Sequence, residues 1–222
     1  MRVIVSLVLS LFVALAAPGL HAEAKQAPRV PIIGYDARFH PVPSREGRVV
    51  SSEALASEVG ARILAAGGNA IDAAVATGFA LAVTYPQAGN IGGGGFMLVH
   101  LANEGRTVAI DYREMAPRAA RRDMFLDKQG EVVPRSSQLT HLASGVPGSV
   151  AGLLHALERY GRLDRATVMT PAIELAENGF PVTYTLSNTL ASPWGQRLLA
   201  NEAAKSYLFK PDGSVYQPGE IL

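Results

Sequence analysis

Hydrophobic positions along this chain change their period several times, and each change marks a predicted element. Residues 3–17 form an apolar run, interrupted only by Ser6 and Ser10, behind Arg2, and Leu20-His21-Ala22 ends in a small residue. A charged start, a short apolar core and a small-residue exit are the pattern of a secretory signal, here residues 1–22, cleaved before Glu23. The run is too short for a comfortable membrane-spanning helix, an uncleaved anchor being the alternative reading. Residues 23–47, with Pro28, Pro31, Pro41 and Pro43 among polar neighbours, read as an extended lead-in. The folded part then covers residues 48–222. Arg48-Val49-Val50 is a short strand candidate. Leu55, Val59, Ile63 and Leu64 fall on one stripe of a helix that Ser51 or Ser52 can cap and that Gly67-Gly68 closes. Asn69 caps a second helix with Asp72 in its first turn, where a carboxylate suits the helix dipole. That segment, residues 70–83, is apolar all round, which predicts a buried helix, and Pro86 stops it.

Periodicity then gives way to Gly89-Asn90-Ile91-Gly92-Gly93-Gly94-Gly95. Four successive glycines lose so much backbone freedom on ordering that a fold keeps them where something passes close to the backbone or where φ must be positive. Tight turn, close packing contact and ligand cradle are the three readings. A hairpin follows: residues 96–101 are apolar, Asn103-Glu104-Gly105 is turn chemistry, and residues 107–112 are the return strand. The return strand delivers Arg113 to its exposed end. A guanidinium there is a planar, permanently charged fork suited to a carboxylate or phosphate, or it is a surface ion pair.

Beyond Pro117 the mixed-charge residues 118–126 read as a solvated loop or short helix, and Asp127-Lys128-Gln129-Gly130 as a turn. A helix is expected from Pro147, with Val150, Leu153, Leu154 and Leu157 on one face and Gly161 past its end. Another spans residues 166–178, carrying Val168, Ile173 and Leu175 and closed by Gly179. A third covers 183–200, interrupted at Pro193, and a small hairpin around Pro211-Asp212-Gly213 pairs 207–209 with 215–216. Two helices, two strands, then several helices indicate an α+β layer structure.

Composition narrows the function classes. The chain has 222 residues, 48% hydrophobic and 18% charged, so it is long enough to bury an ordinary core. Lys plus Arg total 20 against 19 acids, which gives no polyelectrolyte character to suggest nucleic acid as a partner. Without cysteine there are no disulfides, thiolate metal sites, cysteine nucleophile or lipoprotein attachment. The glycine stretch has no register matching a dinucleotide fingerprint, and no Gly-Lys-Ser/Thr follows it, so nucleotide binding has little support. His21, His40, His100, His141 and His155 never stand at zincin spacing, and Ser149 lacks the flanking glycines of a nucleophile elbow. Glu114 is a charge partner for Arg113 as readily as half of an acid pair with Asp111. From the residues alone the site is a glycine loop plus an anion-binding arginine, with no metal ligands, no cofactor site and no identifiable nucleophile.

Four stretches in order carry a resemblance: Gly67-Gly68-Asn69-Ala70-Ile71-Asp72-Ala73-Ala74-Val75-Ala76, Pro86-Gln87-Ala88-Gly89-Asn90-Ile91-Gly92-Gly93-Gly94-Gly95-Phe96-Met97, Asp111-Tyr112-Arg113-Glu114-Met115-Ala116-Pro117 and Ala143-Ser144-Gly145-Val146-Pro147-Gly148. Together they resemble the γ-glutamyltranspeptidase family, from about Arg48 to the last residue. The resemblance implies a secreted enzyme, periplasmic in a bacterium, made as a zymogen and cut autocatalytically into a large and a small subunit. It implies the four-layer αββα sandwich of N-terminal nucleophile hydrolases, present here only in part as an N-terminal portion of the large subunit. In such enzymes the new N-terminal threonine of the small subunit attacks the γ-glutamyl amide of glutathione or a related compound, its α-amine serving as base. The glutamyl group then passes to water or to an amino acid or peptide. The arginine matched by Arg113 holds the glutamyl α-carboxylate. The threonine nucleophile is expected downstream, so no catalytic residue is assigned here. Thr140-His141 resembles a nucleophile threonine only superficially, its neighbours matching an interior stretch of the large subunit. The alternative is a catalytically inactive, truncated homologue that at most binds a γ-glutamyl ligand or pairs with a separately encoded remainder.

Overall fold

The computed structural model describes residues 43–222. The signal-peptide reading of residues 1–22 and nearly all of the 23–47 lead-in lie outside the described residues. In chain order the elements are α1 (Ala54–Ala65), α2 (Ala70–Thr84), β1 (Phe96–Leu101), β2 (Arg106–Asp111), the single turn α3 (Ser136–Leu139), α4 (Ser149–Tyr160), α5 (Arg165–Asn178), α6 (Tyr184–Ala191) and α7 (Glu202–Leu208). This is the expected α+β order.

Local signals explain most boundaries. The end of α1 is a Schellman turn: Gly67 takes φ +93°, and the Gly67 and Gly68 amides donate to the Leu64 and Ile63 carbonyls at 3.0 Å. Its start corrects the sequence reading. Glu53 is the cap, accepting from the Leu55 amide, whereas Ser51 turns to the Ser57 hydroxyl at 2.7 Å and the Glu53 carbonyl at 2.8 Å. Residues 48–50 form no strand. Among the described residues the hairpin β1–β2 pairs only with itself, so they have no ladder to join; Val49 lies over Gly60 of α1 and Val50 is exposed.

The core is built around α2. Ala73, Val75, Ala76, Phe79 and Ala80 are buried against α1, α4 and α5. Only Ala70 and Ala74 of this helix are exposed, close to the buried helix expected. On α4 the buried face is Gly152, Leu153, Ala156 and Leu157, and Val150, placed there by spacing, is exposed. On α5 Val168 and Ala172 are buried while Ile173 is exposed. The hairpin registers Phe96 against Asp111 and Leu101 against Arg106, so Met97, Val99, Val108 and Ile110 turn inward.

A second cluster, Phe180, Val182, Leu186, Leu190 and Phe209, joins α6 and α7. The helix expected over 183–200 stops at Ala191 and resumes as a 3₁₀ stretch, Gly195–Ala200. The last hairpin is a correction. Tyr207 and Leu208 belong to α7, which Asn201 caps by accepting from the Ala204 amide, and only the turn around Gly213 (φ +83°) survives. The extended pairing falls instead between residues 180–182 and 220–222: Phe180 and Leu222 exchange amide bonds of 3.2 and 3.1 Å. Helix propensity in Glu202-Ala203-Ala204-Lys205 outweighed the aromatic pattern that followed.

One carboxylate ties the layers together. Asp72, fully buried, accepts the Asn69 amide at 2.7 Å in a capping box and also the Arg162 and Leu163 amides beyond α4, at 2.9 and 3.2 Å. The Asn69 side-chain amide donates to the Tyr160 carbonyl at 2.6 Å. Asp72→Ala leaves three partly buried amides without their acceptor and should cost about 3 kcal/mol. Asp72→Asn should cost less, since its amide oxygen still accepts. Denaturant unfolding of the two variants checks the order; equal stability of Asp72→Ala and the parent would show the clamp to be idle.

Candidate functional site

The chain leaves α2 through a turn in which the Tyr85 carbonyl accepts the Ala88 and Gly89 amides at 3.1 and 2.7 Å. A Cβ at Gly89 would lie 2.6 Å from the Leu81 carbonyl oxygen, so this glycine permits the exit. Within the run that follows, the glycines are not equivalent. A Cβ on Gly92 would meet only the Asn90 side-chain oxygen, at an ordinary 3.6 Å. One on Gly94 would collide with the Glu114 amide and carboxylate, and one on Gly95 would lie 2.9 Å from the Tyr112 ring. The body that passes close to this backbone is the protein's own chain where it leaves β2. Of the three readings of the glycine run, close packing is the one the geometry supports.

The same segment is pressed from the other side. A Cβ on Gly148 would collide with the Tyr112 carbonyl, and one on Gly152 with the Tyr112 ring. The Gly148 and Ser149 amides, at the start of α4, both donate to the Gly93 carbonyl, at 2.8 and 3.0 Å. Ser149 therefore sits in the first turn of its helix, as expected, and two of the free N–H groups there are taken by the glycine loop. Tyr112 and Gly95 bond in both directions, and Met115 and Val146 exchange amide bonds of 3.2 and 2.8 Å. Residues 112–115 are thus a strap held between the glycine run and the entrance of α4. Burial pushes the Tyr112 phenol above its ordinary value.

Arg113 is exposed on this strap, its backbone lying against Gly148 and its amide donating to the Asp111 carboxylate at 3.0 Å. Among the described residues its guanidinium makes no ion pair. The suggestion that Glu114 balances it is not what is found: the Glu114 carboxylate folds over Gly94 instead. Arg113 borders a cavity of about 400 Å³, with Tyr112, Met115, Gly148, Ala151 and His155 among its walls. The Thr140 hydroxyl donates to the Ser136 carbonyl at 2.6 Å and is not among the residues lining that cavity. Among the described residues no group of three or more His, Asp or Glu side chains could hold a metal.

Gly152 and His155 were not singled out as site residues by the sequence, although Gly148 and Gly152 at i, i+4 signal a helix face built for close approach, which the Tyr112 ring occupies.

Comparison with known proteins converges on one family. The model of the family described as gamma-glutamyltranspeptidase matches residues 56–222. The glutathione hydrolase proenzyme of Escherichia coli (strain K12) is 48% identical over 203 residues, covering 90% of this chain and 35% of that protein. That of Bacillus subtilis (strain 168) is 41% identical, covering 100% and 37%. The crystal structure of Helicobacter pylori gamma-glutamyltranspeptidase superposes with a TM-score of 0.77 at 49% identity, covering 82% of this chain and 52% of the other. The chain spans about a third of the length of these curated relatives.

Within the run, Gly92→Ala should be tolerated and Gly94→Ala should not. Gly94→Ala must displace the strap and is expected to destabilise by about 2 kcal/mol or more, against less than about 1 for Gly92→Ala. Thermal or denaturant unfolding of the pair checks this; a reversed order would mean the strap does not rest on Gly94.

Proposed function

The chain belongs to the γ-glutamyltranspeptidase family, its α+β fold a portion of the N-terminal nucleophile hydrolase fold, and we propose that it is the carboxylate-holding part of a γ-glutamyltransferase and glutathione hydrolase. Arg113 is the residue assigned to that task. The observation that carries the reading is that the strap delivers an exposed guanidinium, without an ion-pair partner among the described residues, to the wall of a cavity. A guanidinium so placed offers two parallel N–H bonds to one carboxylate. Holding the α-carboxylate fixes the glutamyl unit at the end remote from its γ-amide, so the scissile carbonyl is oriented by binding made away from the reacting atoms.

The rest of the chemistry is assigned to the whole enzyme. A threonine freed at a new N-terminus by cleavage of the proenzyme adds its oxygen to the γ-carbonyl. The amine of the leaving peptide departs with a proton, and the resulting γ-glutamyl ester is transferred to water or to an amino acid or peptide amine. Residues 1–22 direct export, to the periplasm in a bacterium. No helix of the described residues is long and apolar enough to cross a membrane.

In the whole enzyme, Arg113→Lys should raise KM for γ-glutamyl substrates about tenfold although charge is kept, because an ammonium cannot reproduce the paired bonds. A contact present equally in ground and transition states changes KM more than kcat. Steady-state kinetics identical to the parent would remove Arg113 from the site.

Residues 23–222 alone should not release anilide from a γ-glutamyl anilide, because the nucleophile and its freed α-amine are assigned to the remainder. A mass-verified preparation that turns over above background, and stops on Thr140→Ala, would overturn both this assignment and the dismissal of Thr140.

A further inference from the structure

Of the asparagines in the chain, only Asn178 is followed by a glycine; the others precede Ala70, Ile91, Glu104, Thr189 and Glu202. The pair falls at the end of α5, with Asn178 its last residue, exposed, and Gly179 beyond it at φ +78° and ψ 171°. Other helix ends are fastened: after α1, α2, α4 and α7 the amides of Ala66, Tyr85, Gly161 and Phe209 each donate to the carbonyl one turn back. Among the described residues the Gly179 amide donates to nothing, the Asn178 carbonyl accepts nothing and the Asn178 side chain makes no hydrogen bond. The peptide plane between the two residues can therefore turn without breaking a hydrogen bond. Glycine on its far side adds no Cβ to hinder the turn or to screen its own nitrogen.

The chain has a second pair of related chemistry, Asp212-Gly213, and there the fold does the opposite. The Gly213 amide donates to the Lys210 carbonyl at 2.8 Å, and the Asp212 carboxylate accepts the Ser214 amide at 2.9 Å. Hydrogen bonding from Ser214, aided by the charge of Lys210, holds the Asp212 carboxyl below its ordinary value, so it stays an anion and a poor electrophile. Nitrogen and carboxyl are both occupied. Two of the other asparagines are occupied as well: the Asn69 side chain caps α2 and the Asn201 side chain caps α7. Asn178 alone combines a glycine neighbour, an exposed side chain and an unbonded peptide plane.

We propose that Asn178-Gly179 is a site of spontaneous covalent modification, at which the Gly179 nitrogen closes on the side-chain carbonyl carbon of Asn178 to give a succinimide. In the closure an N–C bond forms, the bond to the side-chain nitrogen breaks, and that nitrogen leaves as ammonia, carrying the proton of the Gly179 amide. Water then opens the ring at either carbonyl and leaves aspartate or isoaspartate. A hydrogen bond of ordinary strength that had to break first would slow closure about fivefold. Either product puts a negative charge in the last turn of α5, beside Glu177 and among the helix's free carbonyls. Isoaspartate also lengthens the main chain by a methylene group, and the place is tight: a Cβ on Gly179 would lie 2.6 Å from both Ile221 and the Leu222 carbonyl oxygen. Phe180, the next residue, is paired with Leu222, so the added length falls on the second hydrophobic cluster.

The test holds the whole protein, folded, in warm, mildly alkaline buffer and follows proteolytic peptides by mass and chromatography. The peptide holding Asn178 should gain about one mass unit and split into aspartate and isoaspartate forms, at least about fivefold faster than the peptide of any other asparagine. Asn178→Gln, whose longer side chain must close a larger ring, should keep its mass over the same time. A parallel sample in urea shows the reactivity of the unfolded chain. An Asn178 peptide that keeps its mass in the folded protein overturns the inference, and gain confined to the urea sample names the fold as what protects it. Gain of the same size in Asn178→Gln also overturns it, because the reacting residue then lies elsewhere. Fully converted protein should unfold at a lower denaturant concentration than fresh protein; identical unfolding would overturn the placement of the added methylene against Ile221.

Discussion

How closely one piece of backbone can approach another decides this site. The strap at Tyr112, Arg113 and Glu114 lies between Gly94 and Gly95 on one side and Gly148 and Gly152 on the other, at separations that a single Cβ would close. Each glycine costs entropy on folding, roughly 0.5–1 kcal/mol relative to alanine in a regular element. Hydrogen bonds worth about 1 kcal/mol apiece offset this: the Gly93 carbonyl takes two amides from the start of α4, and the strap is bonded at Gly95 and Val146. The Arg113 side chain is free because its backbone is not. A side chain without an ion-pair partner has to be placed by something other than its own charge, and here the main chain does it.

Much of the architecture was legible because it rests on local chemistry. The Gly67-Gly68 stop, the Asn69 cap with Asp72 in its first turn, and the hairpin turn at Gly105 are all written within a few residues of where they act. Readings that depended on distant partners went astray. Arg48-Val49-Val50 has strand composition, but a strand needs a neighbour, and Val49 packs on a helix instead. Ser51 has the right side chain for a cap, and Ser57 claims it. Val150 has the right spacing for the core, yet α4 turns its glycine and alanine face toward Tyr112 and Asp111 and its leucines toward α2, leaving Val150 outside.

For the site the division is similar. Arg113 was readable as an exposed cation at the end of a strand, and the role proposed for it came through the resemblance of the surrounding motifs. The glycine run was readable as a place of close approach but not as to what approaches, since the answer lies some twenty residues on in Tyr112 and Glu114. His155 carries no local mark at all. Its relation to Arg113 exists only because β2 and α4 lie side by side, and no window of sequence contains both.

The Asp72 clamp sets a timetable for the chain as well as holding it. Its carboxylate joins the first turn of α2 to amides 90 and 91 residues further on. A ribosome adding about 5–20 residues per second needs roughly 5–18 s to make that interval. Throughout it α1 and α2 exist without the contact that closes the core over them. A fastening made this late cannot act until α4 and the turn beyond it have been synthesised, so the first two helices must meet each other before they meet the clamp.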